Sequence, residues 1–300
     1  MGALAVAPKL HWLPDPAVLA PLALMSVLYA RRFRAARREE AAHGRRHNGR
    51  GERWRGAPEL AGRGAGPLQA MAFAGGVLAL LAALASPIDG LGEDHLFSAH
   101  MLQHVLLGDI APLLLLLSLS RVILRPATRR LHAVERALGP LAHPLTGLVV
   151  WLAIMYGWHV PALYDAALRH SGVHLLEHAL FFAAGLAVWW PLVQPLPMRR
   201  QLTGMWPLAY IGAAKFGLAA LGLYLTWSST AIYSYYEHVP RIWGLSPVTD
   251  QNVGGAIMMV EQSLTFVVVL AATFVRMLAR SEADELRRER LEGVAGGARP

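Results

Sequence analysis

Long apolar segments, separated by charged or proline-containing stretches, are the feature that most constrains the fold of this chain. A helix needs roughly 20 apolar residues to cross the hydrocarbon core of a membrane. Of the 300 residues, 55% are hydrophobic and only 16% are charged, whereas soluble domains have about 25% charged residues. The sequence therefore predicts an all-α polytopic membrane bundle of seven helices. We place the spans at about 14–31, 68–87, 97–119, 143–159, 173–193, 206–227 and 253–277.

The distribution of Lys and Arg predicts how the bundle is inserted. Of the 28 Lys and Arg residues, 24 fall on one side, in segments 31–67, 120–142, 194–205 and 276–300, whereas three fall on the other side and Lys215 lies within a span. Cytoplasmic loops of membrane proteins carry the excess of positive charge. We therefore expect the N-terminus outside the cell and the C-terminus in the cytoplasm.

The remaining sequence is expected to serve this one membrane domain, residues 1–280, with a cytoplasmic tail at 281–300. The basic 32–67 loop is rich in Arg, Gly and Glu, so we expect it to be flexible and unable to form a core. In the tail we predict a short charged helix, Ala283 to Leu291, followed by Gly-rich coil. The N-terminus lacks a basic stretch before its apolar run, so we expect no cleaved signal peptide.

Composition excludes several kinds of chemistry. The chain has no cysteine, which rules out disulfides and thiolate metal sites. Any metal must therefore be held by His, Met, carboxylate or backbone oxygen. The net charge of +8 could suit nucleic acid, but the basic residues lie in the gaps between apolar runs, so we predict solvated loops and no nucleic-acid partner.

Five histidines lie where the predicted spans leave the membrane on the outer side. Two pairs have i,i+4 spacing, in the runs His-Met-Leu-Gln-His and His-Leu-Leu-Glu-His, which places both imidazoles of a pair on one helix face about 6 Å apart. Imidazole is the commonest metal ligand in proteins. The sequence therefore predicts a metal site fed by three helices. Its histidines are His100, His104, His159, His174 and His178.

Two further residues extend this predicted site. Met258 lies early in the last span, and a thioether beside imidazoles, without cysteine, suits copper and especially Cu(I); a buried Met can equally be simple packing. Glu177 lies within the second histidine pair and could accept an imidazole N–H as a supporting partner of a ligand. We therefore predict copper as the ion, with Met258 as its sixth candidate ligand.

Asp109 and Lys215 are predicted to form a charge pair inside the membrane. At about 1.5 Å per residue, each lies near the middle of its span, where an unpaired charge is costly. Glu261 is the competing partner for Lys215. The alternative is that Lys215 extends its ammonium group to the membrane surface.

Four motifs in this order resemble the CtaG-type family of cytochrome c oxidase assembly factors, in its seven-span branch. The resemblance covers about residues 68–278. The motifs are His-Met-Leu-Gln-His-Val-Leu-Leu followed by Ala-Pro (111–112), Trp-His-Val-Pro (158–161), His-Leu-Leu-Glu-His (174–178), and Ser-Pro-Val-Thr-Asp-Gln-Asn-Val-Gly-Gly-Ala-Ile-Met (246–258).

The resemblance implies a protein of the bacterial plasma membrane that is not an enzyme. Such a protein, surrounded by lipid, would help to deliver or insert copper during assembly of haem–copper oxidase, with oxidase subunits as its partners. The oligomeric state is left open. By position, the resemblance implies as functional residues His100, Gln103, His104, His159, His174, His178, Asp250, Gln251 and Met258.

Two other functions remain open on the sequence. A b-type haem protein needs one imidazole on each side of the porphyrin, and His104 with His178 could supply them. A copper or proton transporter commonly places its site near the midplane, where Asp109 and Lys215 are predicted to lie. The clustered i,i+4 pairs favour several ligands to one ion over two ligands across a macrocycle.

Overall fold

The computed structural model describes Trp12, residues 15–47 and residues 64–296. Throughout these residues the regular structure is helical, with no strand, so the predicted all-α fold is confirmed. The helices are α1 (Pro16–His47), α2 (Pro67–Leu84), α3 (Pro87–Asp94), α4 (Phe97–Val105), α5 (Ala111–Leu117), α6 (Arg121–Leu124), α7 (Thr128–Leu138), α8 (Pro144–Trp158), α9 (Pro161–Arg169), α10 (Ser171–Val193), α11 (Trp206–Trp227), α12 (Tyr235–His238) and α13 (Pro247–Gly296), with a π-helical turn at Leu106–Ile110 and a 3₁₀ turn at Gly139–Ala142.

Five of the described helical segments are long and apolar enough to cross a membrane. A sixth candidate consists of α7 with its 3₁₀ turn and α8, which meet at an angle of 73°. These segments indicate a multi-pass membrane protein. Five of the seven predicted spans coincide with them, and the predicted 143–159 span corresponds to α8. The five segments are Pro67–Asp94, Phe97–Leu117, Ser171–Val193, Trp206–Trp227 and Pro247–Glu289.

The region of the first predicted span differs from the expectation. Helix α1 continues past residue 31 to His47, so the first part of the loop predicted to be flexible is helical. Arg32 fixes this extension, because its guanidinium group donates to the Ile123 carbonyl at 2.8 Å and to Glu39 at 2.7 Å. The composition of the loop could not predict a contact between Arg32 and a backbone carbonyl 91 residues away in the sequence. Residues 48–63 of that loop lie outside the described part of the chain.

The predicted tail also differs. Helix α13 continues without a break from Pro247 to Gly296, instead of a short separate helix over Ala283–Leu291 and a coil after it. The Glu-, Arg-, Ala- and Leu-rich sequence after residue 277 consists of strong helix formers without proline, so the span simply extends.

A π-helical turn interrupts the helix that carries the first histidine pair. The N–H of Ala111 bonds to the carbonyl of Leu106, five residues earlier. Pro112 follows at once, and a proline ring cannot continue a regular α-helical ladder because it lacks an N–H and clashes with the carbonyl four residues before it. The turn also contains Asp109, and such turns are frequent at functional sites.

Glycines allow the helices of the bundle to approach closely. A Cβ on Gly255 in α13 would lie 2.6 Å from the Thr226 backbone nitrogen of α11, and one on Gly254 would overlap the Phe97 ring of α4. Likewise a Cβ on Gly185 in α10 would collide with the carbonyl oxygen of Gly108. Helix α10, which carries two of the histidines, therefore packs backbone against backbone on the π-helical turn after α4, and α13 packs in the same way on α11.

Candidate metal centre

Four buried side chains from two helices converge near the beginnings of α4 and α10. One candidate ligand atom from each lies within 4.8 Å of the corresponding atom of every other. We call this set the histidine cluster. His100 and Glu177 are completely buried, and the other two are less than a tenth exposed. The cluster consists of His100, His174, Glu177 and His178.

Helical spacing and helix packing together bring these side chains together. On α10, the His174 and His178 ring centroids are 4.0 Å apart, as expected for residues one turn apart on one face. Helix α10 packs against the π-helical turn after α4. The His100 ring centroid consequently lies 5.4 Å from that of His174.

The other two predicted histidines border the cluster. The Nε2 atom of His104 lies 2.7 Å from Nε2 of His100 and 3.7 Å from the nearer carboxylate oxygen of Glu177. His159 ends α8, and its ring centroid is 6.2 Å from that of His104. All five predicted histidines are therefore buried neighbours, and His159 lies next to His104 at the border of the cluster.

The cluster contains several buried polar atoms that no described residue satisfies. His174 Nε2, His178 Nε2 and both carboxylate oxygens of Glu177 lack a hydrogen-bond partner there. Leaving one such group unsatisfied costs roughly 1–3 kcal/mol, so native structures rarely bury several together. Imidazole nitrogens and a carboxylate are a suitable donor set for a transition-metal ion. The residues present therefore fit a bound metal.

Two neighbours of the cluster were not predicted from the sequence. Glu93 in α3 lies 2.7 Å from Nδ1 of His174, and such a carboxylate orients a metal-ligating imidazole. The Tyr236 hydroxyl donates to the Gly92 carbonyl at 2.6 Å and lies 3.3 Å from Nδ1 of His100. The acidic run at 93–94, just before the third predicted span, was the available signal for Glu93.

Tyr236 is held in its neutral form by its surroundings. Burial raises the pKa of Tyr236 well above its ordinary value, and burial does the same for the pKa of Tyr164. The two hydroxyls lie 3.4 Å apart. Both tyrosines are therefore O–H donors at physiological pH, and Tyr236 supports His100 as a neutral hydrogen-bonding group.

Two of the four predicted supporting residues, Asp250 and Gln251, contact backbone atoms instead of imidazoles. Asp250 accepts from the Phe97 and Ser98 N–H groups at 2.6 and 3.1 Å, which caps the N-terminus of α4 with a carboxylate. Gln251 accepts from Ile232 N–H at 2.7 Å. Asp250 thus fixes the start of α4, the helix that carries His100, and Gln251 fixes the segment before α12.

Gln103, about one turn after His100 on α4, also contacts groups other than the imidazoles. Its amide donates to the Ala83 carbonyl at 2.9 Å and to Asp89 at 2.5 Å. The side chain is fully buried, and it therefore ties α4 to α2 and α3. Glu177, by contrast, lies within the histidine cluster itself and not only behind it.

Met258 lies apart from the histidine cluster. It lines a small cavity of about 20 Å³ beside the cluster, together with His104, His159, Asp109 and Glu261. The structure thus divides the predicted His/Met site into two places that share the His104 region.

Asp109 and Lys215 contact each other in the interior of the bundle. The Lys215 ammonium group donates to Oδ2 of Asp109 and lies 3.7 Å from Oε1 of Glu261. Trp189 donates to the other oxygen of Asp109 at 2.5 Å. Because Lys215 is only 3% exposed, its side chain does not extend to the surface of the bundle.

Known proteins similar to this chain carry names that leave their function open. The chain is 28% identical over 240 residues to an uncharacterized protein of Mycobacterium bovis and 24% identical over 241 residues to one of Mycobacterium leprae. Each alignment covers 73% of this chain but only 35% and 36% of the relative, respectively, so the chain spans about a third of their length. No solved structure matches it.

The family comparison is more informative. Residues 52–280 match the family described as cytochrome c oxidase caa3 assembly factor, and these residues include every helix that carries the cluster. Because the match covers well over half of the sequence, the chain belongs to the cytochrome c oxidase caa3 assembly factor family.

Proposed function

We propose that this protein holds copper in the histidine cluster and passes it to a subunit of haem–copper cytochrome c oxidase during assembly. The family supplies the oxidase as the client. The observation that carries the copper proposal is the set of four buried side chains within 4.8 Å, with imidazole nitrogens and carboxylate oxygens that lack partners among the described residues. The role is one of binding and transfer, without catalysis.

The chemistry of the cluster suits a cargo ion that must be released. Three imidazoles and one carboxylate can bind copper, and the absence of cysteine removes the thiolates that would bind it most tightly. Glu93 at the edge of the cluster is 43% exposed in its side chain. Glu93 therefore connects the buried ligand His174 to the protein surface. We place the route by which an ion enters or leaves the cluster along this side chain.

The proposed site faces the extracytoplasmic side of a bacterial plasma membrane. His100 and His174 lie near the starting ends of the spans Phe97–Leu117 and Ser171–Val193, and the opposite ends of both spans lead into Arg-containing segments. The excess of Lys and Arg on that opposite side supports a cytoplasmic location for it. A seven-span topology follows if α1 crosses once and α8 crosses as the continuation of the bent pair.

Haem binding is less well supported by the same geometry. Five of the six pairs among the imidazoles of His100, His104, His174 and His178 have ring centroids 4.0–6.3 Å apart, so the rings form one packed group. A porphyrin needs a wide flat slot between two imidazoles, whereas a single ion needs ligands on several sides at once. The packing therefore favours an ion.

Oxidase assembly in cells tests the proposed function. A bacterial host without its own copy would receive the wild-type chain, a His174→Ala/His178→Ala variant, or a control variant in which exposed His170 and His238 are replaced by Ala. We expect the wild type and the control to support assembly of copper-containing oxidase, and the cluster variant to leave an oxidase that contains haem but lacks copper. Copper and haem per purified oxidase are measured.

An oxidase with full copper content in the cluster variant, at equal membrane levels of each chain, would contradict the proposal. An oxidase that lacks haem as well as copper would point instead to a structural role in subunit folding.

A further inference from the structure

The cavity beside the histidine cluster has its own set of metal-binding atoms. It is lined by two imidazoles, His104 and His159, and by the thioether side chains of Met101, Met155 and Met258. The two histidines are less than a tenth exposed, and so are the three methionines. The cavity volume of about 20 Å³ is enough for one water-sized occupant.

The hydrogen bonds of His159 determine which of its nitrogens is free. Nδ1 lies 2.7 Å from the backbone carbonyl of Met155. A carbonyl can only accept, so Nδ1 carries the proton and donates. Nε2 therefore has a free lone pair, and it is buried with no partner among the described residues. An imidazole oriented by a carbonyl behind it is the usual arrangement of a metal ligand.

A longer chain of hydrogen bonds sets the tautomer of His104. Tyr236 uses its proton to bond the Gly92 carbonyl, so its oxygen accepts from Nδ1–H of His100, 3.3 Å away. In the metal-free protein, Nε2 of His100 then has the lone pair and accepts from Nε2–H of His104 at 2.7 Å. An ion in the histidine cluster would take this lone pair, and the His104 N–H would then face the Glu177 carboxylate, 3.7 Å away.

The consequence is a second free lone pair. Because Nε2 of the neutral His104 ring carries the proton, Nδ1 must be the unprotonated nitrogen. This atom is also buried without a partner among the described residues. Two orphaned imidazole nitrogens, from α4 and the end of α8, therefore belong to residues that line one cavity.

The spacing of the two rings suits a shared ion. An imidazole nitrogen binds a metal at about 2.0–2.1 Å, so the ring centroid of each ligand lies roughly 3.2 Å from the ion. Two imidazoles on one ion then have centroids no more than about 6.4 Å apart. The observed separation of the His104 and His159 centroids is 6.2 Å, which fits the open, nearly linear arrangement.

We infer that this cavity is a second copper site, selective for Cu(I), with His104, His159 and Met258 as its ligands. Soft thioethers select Cu(I), and the two carboxylates that also line this cavity, Asp109 and Glu261, are engaged by Lys215, Trp189 and Thr265. The histidine cluster contains a carboxylate and no thioether, so it does not make that selection. His104 borders both sites, so an ion has a short path between them. This inference rests on the proposed copper-handling function and divides it into two sites of different ligand chemistry.

Anaerobic titration of the purified full chain with Cu(I), against a chromophoric Cu(I) chelator, tests the inference. The variants are Met258→Leu, which conserves volume, and His159→Gln. The control is Met259→Leu, the adjacent residue on the same helix, whose sulfur instead accepts from Thr226 at 3.8 Å. We expect two Cu(I) ions in the wild type and the control, and loss or at least tenfold weakening of one ion in Met258→Leu and in His159→Gln.

X-ray absorption at the copper edge provides a second readout. A sulfur scatterer should be present in the wild type and absent in Met258→Leu. Wild-type stoichiometry and affinity in both variants, or a wild-type spectrum without sulfur, would overturn the inference, whether or not either variant changes thermal stability.

The two proposals fail in distinguishable ways. A single wild-type ion that is lost in His174→Ala/His178→Ala, but kept in Met258→Leu and His159→Gln, removes the second site and leaves the histidine cluster as the copper site. A single wild-type ion that is lost only in Met258→Leu and His159→Gln removes the histidine cluster as a copper site and leaves the second site. No Cu(I) in the wild type contradicts both.

Discussion

Two buried polar groups lie in this bundle, and they differ in how well they are satisfied. The histidine cluster contains at least four orphaned atoms among the described residues. The second group, which we call the charged cluster, contains Asp109, Lys215, Glu261 and Gln262, and there only Oε1 of Gln262 lacks a partner. Both groups are almost completely buried.

This difference is what we expect between a structural network and the proposed binding site. Burying charge is tolerated when ions are paired and their remaining lone pairs are hydrogen-bonded. Lys215 contacts Asp109, Trp189 donates to the same carboxylate, and Thr265 donates to Glu261. In the histidine cluster, the proposed ion would supply the partners that the buried nitrogen and oxygen atoms lack among the described residues.

Loss of the Lys215 charge should have the largest effect on stability. Lys215→Met leaves Asp109 and Glu261 buried without their cation, and breaking a buried pair in this way costs about 3–5 kcal/mol. We expect strongly reduced membrane levels and a large fall in the melting temperature of the purified protein. Arg241→Met, which removes an exposed cation, should leave both unchanged.

A compensating substitution sharpens this prediction. Asp109→Asn combined with Lys215→Met removes both charges of the contact, so part of the lost stability should return. A double variant as unstable as Lys215→Met alone would show that the two charges do not act as a pair.

The indole of Trp189 should have a smaller effect of the same sign. Trp189→Phe keeps an aromatic ring beside Lys215, whose ammonium group lies 4.9 Å from the indole centroid, but removes the N–H that bonds Asp109. Hydrogen bonds to charged groups contribute about 1.5–3 kcal/mol. Denaturation midpoints should therefore fall for Trp189→Phe and stay unchanged for exposed Trp227→Phe; equal midpoints for both would mean that Asp109 does not need this donor.

The histidine cluster should respond in the opposite direction. Glu177→Gln removes a buried carboxylate whose two oxygens have no hydrogen-bond partner among the described residues. In metal-free protein we expect unchanged or higher stability, by up to about 1 kcal/mol, together with weaker copper binding. Thermal melts with and without copper measure both effects, and Glu282→Gln in the exposed part of α13 is the control. A clear loss of stability in the metal-free variant would show that Glu177 is a structural group like Asp109.

Some of this arrangement could be predicted from local spacing. The i,i+4 rule places His174 beside His178 on one helix face without knowledge of the fold. Counting residues from the span ends placed Asp109 and Lys215 at similar depth. These predictions depend only on helix geometry, which is why the sequence was sufficient for them.

Other features depend on how helices pack, and local patterns could not reveal them. Gln103 and Asp250 lie in the same motifs as the histidines, but their side chains cross to backbone atoms of other segments. Glu93 reaches His174 because α3 precedes α4 as a separate short helix. The separation of Met258 from the cluster likewise follows from packing of α13 against α4, which sequence spacing does not encode.

The most direct test of the central claim is copper content with an absorption spectrum on the purified chain. Wild type, His174→Ala/His178→Ala and the exposed control His170→Ala/His238→Ala would be loaded with excess copper, freed of unbound metal by gel filtration, and analysed for copper and haem per chain. Our account predicts at least one copper ion more in the wild type and the control than in the cluster variant, with no Soret band. Equal copper in all three, or a Soret band that the cluster variant loses, would contradict it.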